Sequence, residues 1–352
     1  MTEPSRVCVD GWVDVHAHFA LPRTRAELEA GLRTMHAGCF LLPAPFQWTE
    51  RGALAHMDRC GIGVQLLSNI PFSLEALKAS NDYGAQLVAR HPHRFGLLAA
   101  LPTNDCEAAL AEVARCDALK ADGFAVTCCY NGVYLGDPRL RPVWAELDRR
   151  GASVFMHPDA YAPPSLGRPS PLLEVAFETA RTVVDMLYAA IFRDFPNIRF
   201  VVAHCGGALP ALAGRLALLG AEAWVPNPNG ITKDEIRQQL RNLFYDTAAT
   251  GSPPSLRATL SITSCDHLVY GSDCGVPCST DQTLEENLQS LLAFPDLSRS
   301  EIDAIGHNAL NVFPRLAQRL AALRAAPPPL PTITDGAART ASGDARHANR
   351  HD

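Results

Sequence analysis

Short β-branched and apolar runs alternate along the chain with longer stretches of helical periodicity. That alternation predicts repeated βα units and a parallel sheet. The apolar runs are Gly11–His16, Gly63–Ser68, Phe95–Ala100, Gly123–Cys128, Ser153–His157, Ile198–His204, Leu243–Thr247 and His267–Gly271. Helical patterns between them cover Leu74–Arg90, Asp105–Cys116, Pro138–Arg150, Leu172–Phe192 and Asp281–Ala293. Asp105 and Ser252 stand where helix N-caps belong, and Pro138 at a first helical position. Eight strands with intervening helices predict a closed α/β fold, a (β/α)8 TIM barrel, over residues 1–326.

Two segments break the repeat. Residues 20–50 form a loop insertion after the first strand, apolar at Phe40-Leu41-Leu42 and at Phe46-Gln47-Trp48, and are expected to act as a lid. Residues 327–352 are rich in Pro, Ala, Gly and charge and carry no periodicity, which predicts a disordered tail with His347 and His351 in solvent.

Composition narrows the function classes. A chain of 352 residues with 47% hydrophobic and 19% charged positions is long enough for one packed barrel. A net charge of -6 offers no electrostatic footing for nucleic acid or an anionic membrane, so neither is expected as a partner. No run of about 18 uncharged apolar residues occurs, and MTEPSRVCVD lacks the core of a secretory signal. The 11 cysteines are odd in number and irregularly spaced, with no C-x-x-C pair. Reduced thiols in a cytoplasmic enzyme, mostly buried as small hydrophobes, fit that pattern better than a disulfide framework.

The strongest chemical signal is Val13-Asp14-Val15-His16-Ala17-His18-Phe19. Strand residues two apart share a face, so His16 and His18 can reach one ion at the strand's C-terminal end, where barrel enzymes do their chemistry. The H-x-H pattern is short and by itself equally compatible with two histidines and no metal. Three more residues change that balance. His157 ends Val154-Phe155-Met156, His204 ends Ile198–Ala203, and Asp273 follows Leu268–Ser272. Each is a metal-competent group placed where an apolar run meets its loop. If the barrel closes, all of them converge on one mouth. Imidazoles with a carboxylate suit one divalent ion, Zn²⁺ foremost, with Mn²⁺ or Co²⁺ also compatible. The only lysines are Lys78, Lys120 and Lys233, none at the C-terminal end of a strand, so a lysine bridge between two metals is not expected.

The segments V-D-V-H-A-H-F, V-F-M-H-P, A-H-C-G-G and Y-G-S-D resemble the landmarks of the amidohydrolase superfamily's decarboxylase branch. That branch includes aminocarboxymuconate-semialdehyde decarboxylases and, more similar to this chain, 6-methylsalicylate decarboxylases. The resemblance runs from about Val13 to Arg315 and takes in Met57-Asp58-Arg59-Cys60-Gly61 and Phe244-Tyr245-Asp246-Thr247-Ala248. It implies His16, His18, His157 and Asp273 as ligands of one metal. It implies His204 as the group handling a proton or metal-bound water, and a catalytic part for Asp273 in orienting water or His204. It further implies Arg215 as a substrate-carboxylate anchor, supplied in some relatives by the neighbouring subunit, and hence a functional homodimer; a plain helix-surface arginine is the equal alternative.

Two departures bear on substrate. Resorcylate-type members carry a glutamate three residues after the strand-six histidine, where this chain has Gly207. The semialdehyde decarboxylase carries an arginine before its M-D segment, where this chain offers Phe40, Leu41, Leu42, Phe46 and Trp48. An apolar lid with no cation points to an aromatic monoacid. The expected reaction is therefore non-oxidative decarboxylation of an ortho-hydroxy aromatic acid of the 6-methylsalicylate kind, with release of CO2. The alternative is a mononuclear hydrolase or hydratase using the same site on an amide, lactone or enol acid. A non-catalytic scaffold would be expected to have lost some of these ligand positions, and all are filled.

Overall fold

In the computed structural model, residues 8–325 are described; the expected tail lies outside the described residues. Strands β1 (Trp12–His18), β2 (Ile62–Ser68), β3 (Phe95–Ala100), β4 (Gly123–Thr127), β5 (Ser153–His157), β6 (Arg199–Val202), β7 (Phe244–Asp246) and β8 (Leu268–Val269) lie side by side in chain order, all parallel. The ring closes just beyond the last strand. Ala17 bridges Cys274, His18 N–H donates to Cys274 O at 2.7 Å, and Asp273 N–H donates to His16 O at 2.8 Å. The TIM barrel expected from the βα alternation is the fold.

Strand alternation sorts the core into two layers. Val13, Val15, Leu66, Leu98, Phe155, Val201 and Val269 fill the barrel together with Val312, Phe313 and Leu316 from its C-terminal segment. Trp12, Ile62, Phe124, Met156, Phe200 and Tyr245 point the other way, into the layer shared with the helices. The helices of eight or more residues are α1 (Arg25–Ala37), α2 (Glu50–Cys60), α3 (Leu74–Arg90), α4 (Cys106–Leu119), α5 (Arg141–Arg149), α6 (Glu174–Tyr188), α7 (Leu209–Leu219), α8 (Lys233–Asn242), α9 (Pro253–Leu260), α10 (Asp281–Leu292), α11 (Arg299–His307) and α12 (Pro314–Ala325). Arg319 of α12 forks onto buried Asp122 at 3.0 and 2.9 Å, holding that helix under the barrel floor.

Local sequence explains most boundaries. Asp105 caps α4 by accepting from Ala108 N–H at 3.0 Å. Ser252 does occupy the N-cap of α9, but its side chain makes no capping bond. Pro138 opens a 3-10 turn that leads into α5. The insertion after β1 is less loop-like than expected, because Thr24 and Glu27 form a reciprocal capping box that starts α1. None of the α1 residues is fully buried.

β1 carries one irregularity that matters for the site. Between paired positions it advances from Asp14 to Ala17 while β2 advances only from Gln65 to Leu67, so β1 holds one extra residue. Before the bulge Val13 and Val15 belong to the barrel-filling layer; after it Ala17 and Phe19 belong to the helix-facing layer. The parity shift turns both His16 and His18 toward the barrel mouth.

Candidate active site

Four strand ends deliver the expected residues to one place. His16 and His18 come from β1, and His157 is the last residue of β5. His204 and Asp273 follow β6 and β8. Ligand atoms of His16, His157, His204 and Asp273 all lie within 4.8 Å of one another. His18 Nε2 stands 3.1 Å from His16 Nε2 and 3.3 Å from Asp273 Oδ1, and His16 Nε2 is also 3.3 Å from that oxygen. His204 Nε2 is 3.9 Å from Asp273 Oδ2. Donors around an ion at about 2.1 Å are spaced roughly 3–4 Å apart, so the cluster has the dimensions of a metal site.

The chemistry of the donors agrees. His16 Nδ1–H donates to Asp246 Oδ2 at 2.7 Å and His157 Nδ1–H to Pro158 O at 2.7 Å. In the neutral rings both bonds hold the proton on Nδ1 and leave the Nε2 lone pair for the cluster. Burial disfavours charge on His157, and the neighbouring imidazoles of His18 and His16 press it further, well below 6.5. Burial likewise depresses His18. Burial opposes charge on His16 too, but the Asp246 and Asp273 carboxylates overcome it and lift that histidine to about 10. Burial would raise Asp273, yet its bonds to His16, His18 and His204 hold it well below 3.8. Two carboxylates thus create a field that attracts a cation, among imidazoles that resist carrying protons together. This is a His/Asp metal-binding site.

Two strand ends reach it through unusual backbone. His204 has φ 57° and Asp273 has φ 63°, both in the left-handed region that side chains with a Cβ avoid. These turns stop β6 at Val202 and β8 at Val269, short of the expected ends, and swing the two side chains over the mouth. Backbone of this kind persists where surrounding structure holds it, and it clusters at working sites.

Above the cluster opens a cavity of about 840 Å³. Phe40, Phe46 and Trp48 of the insertion line it, whereas Leu41 and Leu42 do not. The expectation of a lid without a cation needs correction. Arg23, in the same insertion, lines the cavity and is, among the described residues, its one arginine or lysine. Arg215 is not in the cavity of its own chain; it lies exposed on α7 between exposed Leu212 and Leu218. Gly207 lines the cavity with φ 60°, and a Cβ there would meet Ala176 O at 2.4 Å, so the position cannot carry the glutamate of resorcylate-type members in this backbone. Of the thiols, all free, Cys60, Cys116, Cys128, Cys205 and Cys274 are buried, fewer than expected. Burial pushes Cys128 far above the ordinary thiol range. Lys78, Lys120 and Lys233 stay away from the lining residues.

The sequence profile of the amidohydrolase family, described as Amidohydrolase, matches residues 13–315. The chain belongs to that family. The 6-methylsalicylic acid decarboxylase of Penicillium expansum is 27% identical over 321 residues, covering 86% of this chain and 96% of the relative. Decarboxylase macB of Penicillium terrestre is 31% identical over 331 residues, covering 86% and 95%. The crystal structure of 5-carboxyvanillate decarboxylase from Novosphingobium aromaticivorans, complexed with manganese and 4-hydroxy-3-methoxy-5-nitrobenzoic acid, superposes with a TM-score of 0.72. It is 20% identical and covers 87% of this chain and 96% of that one. This amidohydrolase is thus a carboxy-lyase of the superfamily's decarboxylase branch. No helix among its described residues is long and apolar enough to cross a membrane.

Two carboxylates of this amidohydrolase were not assigned a role from sequence. Asp246, ending β7, accepts from His16 Nδ1–H through one oxygen. Through the other it accepts from His204 N–H at 2.8 Å and Ala248 N–H at 2.9 Å. It therefore ties two members of the cluster together. The rule that found His157 and His204, a polar residue where an apolar strand meets its loop, would have found it. Asp14 is wholly buried on the far side of the β1 bulge. It accepts from Gln65 Nε2 at 2.9 Å, His16 N at 3.1 Å, Ser272 N at 3.0 Å and Ser272 Oγ at 2.5 Å. Burial raises it to about 6 although these bonds oppose the rise. Asp14 clasps β1 to the turn carrying Asp273.

Proposed function

We propose that this amidohydrolase is a metal-dependent, non-oxidative decarboxylase of an ortho-hydroxy aromatic acid of the 6-methylsalicylate kind. The observation that carries the reading is the convergence of four imidazoles and one carboxylate beneath an aromatic-lined cavity, in a chain whose relatives are named as aromatic-acid decarboxylases.

His16, His18, His157 and Asp273 would hold one divalent ion. Zn²⁺ is the first choice for such a donor set and Mn²⁺ or Co²⁺ the others. Such an ion would supply positive charge that offsets negative charge as it develops on the substrate. His204 Nε2 stands 3.9 Å from Asp273 Oδ2. Its Nδ1 is buried without a hydrogen-bond partner, leaving Nε2 as the nitrogen that exchanges a proton. His204 delivers that proton to the ring carbon bearing the carboxylate. The carbon–carbon bond then breaks, its electron pair restores the aromatic ring, and CO2 leaves. Asp273, touching three of the histidines, keeps His204 oriented. Phe46 and Trp48 pack on the substrate ring.

Arg215 serves a neighbouring subunit rather than its own. It stands on an exposed helix face among leucines, which supports a homodimer that carries it to the partner's cavity mouth. The free thiols support a cytoplasmic setting. Trapping labelled CO2 from a panel of carboxyl-labelled salicylates, with metal-loaded enzyme, tests the reading. Release of CO2 with the matching phenol supports it. Ring-intact acid plus hydrolysis of amides or lactones would establish the hydrolytic alternative instead.

A further inference from the structure

The cavity is far larger than the substrate ring. A benzene-sized ring fits a cavity of roughly 150 Å³, whereas this one measures about 840 Å³. The surplus lies toward the mouth, because the cluster of histidines and Asp273 takes the floor. Three separate segments wall it with large apolar groups: Met35, Phe40 and Phe46 from the insertion, Phe72 from the β2–α3 loop, and Leu172 and Val175 from the β5–α6 segment. Phe72 and Leu172 are exposed in the chain as it stands, at 38% and 70%. Large apolar side chains turned into a wet cavity gain when an apolar ligand covers them. Two charged side chains join these walls, exposed Arg23 from the insertion and Asp159 from the β5–α6 segment. The helix α10 contributes mostly polar groups, Thr283, Glu286 and Asn287, together with Leu284.

We propose that the substrate is an ortho-hydroxybenzoate bearing an extended apolar chain, several carbons longer than a methyl group, which lies along the lid wall. The inference rests on the reading of the site as a salicylate-type decarboxylase and names the substrate class within it. With carboxylate and hydroxyl on the floor, the rest of the ring faces the surplus volume, and only a chain can reach Met35 and Phe72. A bare ring or a methyl group leaves those walls in water.

The experiment uses metal-loaded full-length enzyme and salicylates carrying methyl, propyl or hexyl chains at ring positions 4, 5 and 6. At one position at least, kcat/KM is expected to rise two- to fourfold per added methylene, so that the hexyl acid exceeds its methyl homologue by tenfold or more. If no position gives a longer acid that outperforms its methyl homologue, the proposal is overturned while the decarboxylase reading stands. Met35→Trp narrows the lid wall and is expected to lower the hexyl-to-methyl ratio of kcat/KM at least tenfold. An unchanged ratio overturns the placement of the chain. Binding of 3-alkylphenols, measured calorimetrically without any chemistry, separates the two readings. Tighter binding with chain length and no CO2 from any acid keeps the apolar channel and removes the decarboxylase. Chain-length-independent binding removes the channel.

Discussion

At the level of single residues, the site divides into groups that face the cluster and groups that hold them. His204 faces it with one nitrogen, Nδ1, buried without a hydrogen-bond partner. Removing it leaves His16, His18, His157 and Asp273 in place. His204→Ala is expected to bind metal at the wild-type stoichiometry, by elemental analysis, while kcat drops about 100-fold or more, the usual share of a general acid. Loss of metal and activity together would make His204 a ligand. Asp246 acts through His16. Asp246→Asn keeps the shape but loses the carboxylate that fixes the His16 tautomer, and metal affinity is expected to weaken about 10- to 100-fold in a chelator competition. An unchanged affinity would reduce Asp246 to a backbone brace for His204.

At the level of elements, the turns after β6 and β8 bring the chemistry to the mouth, and they depend on residues without side chains. Gly207 combines φ 60° with backbone packed against Ala176. Gly207→Ala is expected to lower stability by on the order of 2 kcal/mol or more in urea denaturation, from the strained conformation and the overlap together. Wild-type stability in that variant would mean that the turn relaxes freely. In α2, His56 is buried, 3% exposed, and burial reinforced by Arg59 depresses its pKa to about 4. Its folded value lies below the unfolded value of about 6.5, so its contribution is complete above pH 6.5 and lost as pH falls toward 4. Between pH 6.5 and 5 that amounts to about 2 kcal/mol. His56→Met, which cannot titrate, is expected to flatten this part of the stability–pH curve; an identical slope would assign it to other groups.

At the level of the molecule, the proposal that Arg215 serves a neighbouring subunit has a direct test. Arg215 is remote from its own cavity and exposed between leucines on α7. Sedimentation is expected to show a homodimer. Mixing inactive His204→Ala with Arg215→Ala subunits under exchanging conditions is expected to restore part of the activity, because some mixed dimers own one intact site. No recovery from mixtures shown to exchange would confine Arg215 to the surface of its own subunit.

Much of this protein was legible before any coordinates. Period-two and helical patterns are local, so the β/α alternation, all eight strand starts to within one residue, and the ligand-bearing ends of β1 and β5 follow from short segments. The helix of the insertion, α1, was legible too, in Thr24-x-x-Glu27. What local pattern could not supply is parity and partnership. Strict alternation along β1 would send His16 to the face opposite Val13 and Val15, and only pairing with β2 reveals the extra residue that reverses it. The positive φ values of His204 and Asp273, the grip of Asp246 on two strands and the arrival of Arg23 at the cavity arise from contacts between segments far apart in the chain. A linear sequence states which side chains are available and on which element; the closed ring of strands decides which of them meet.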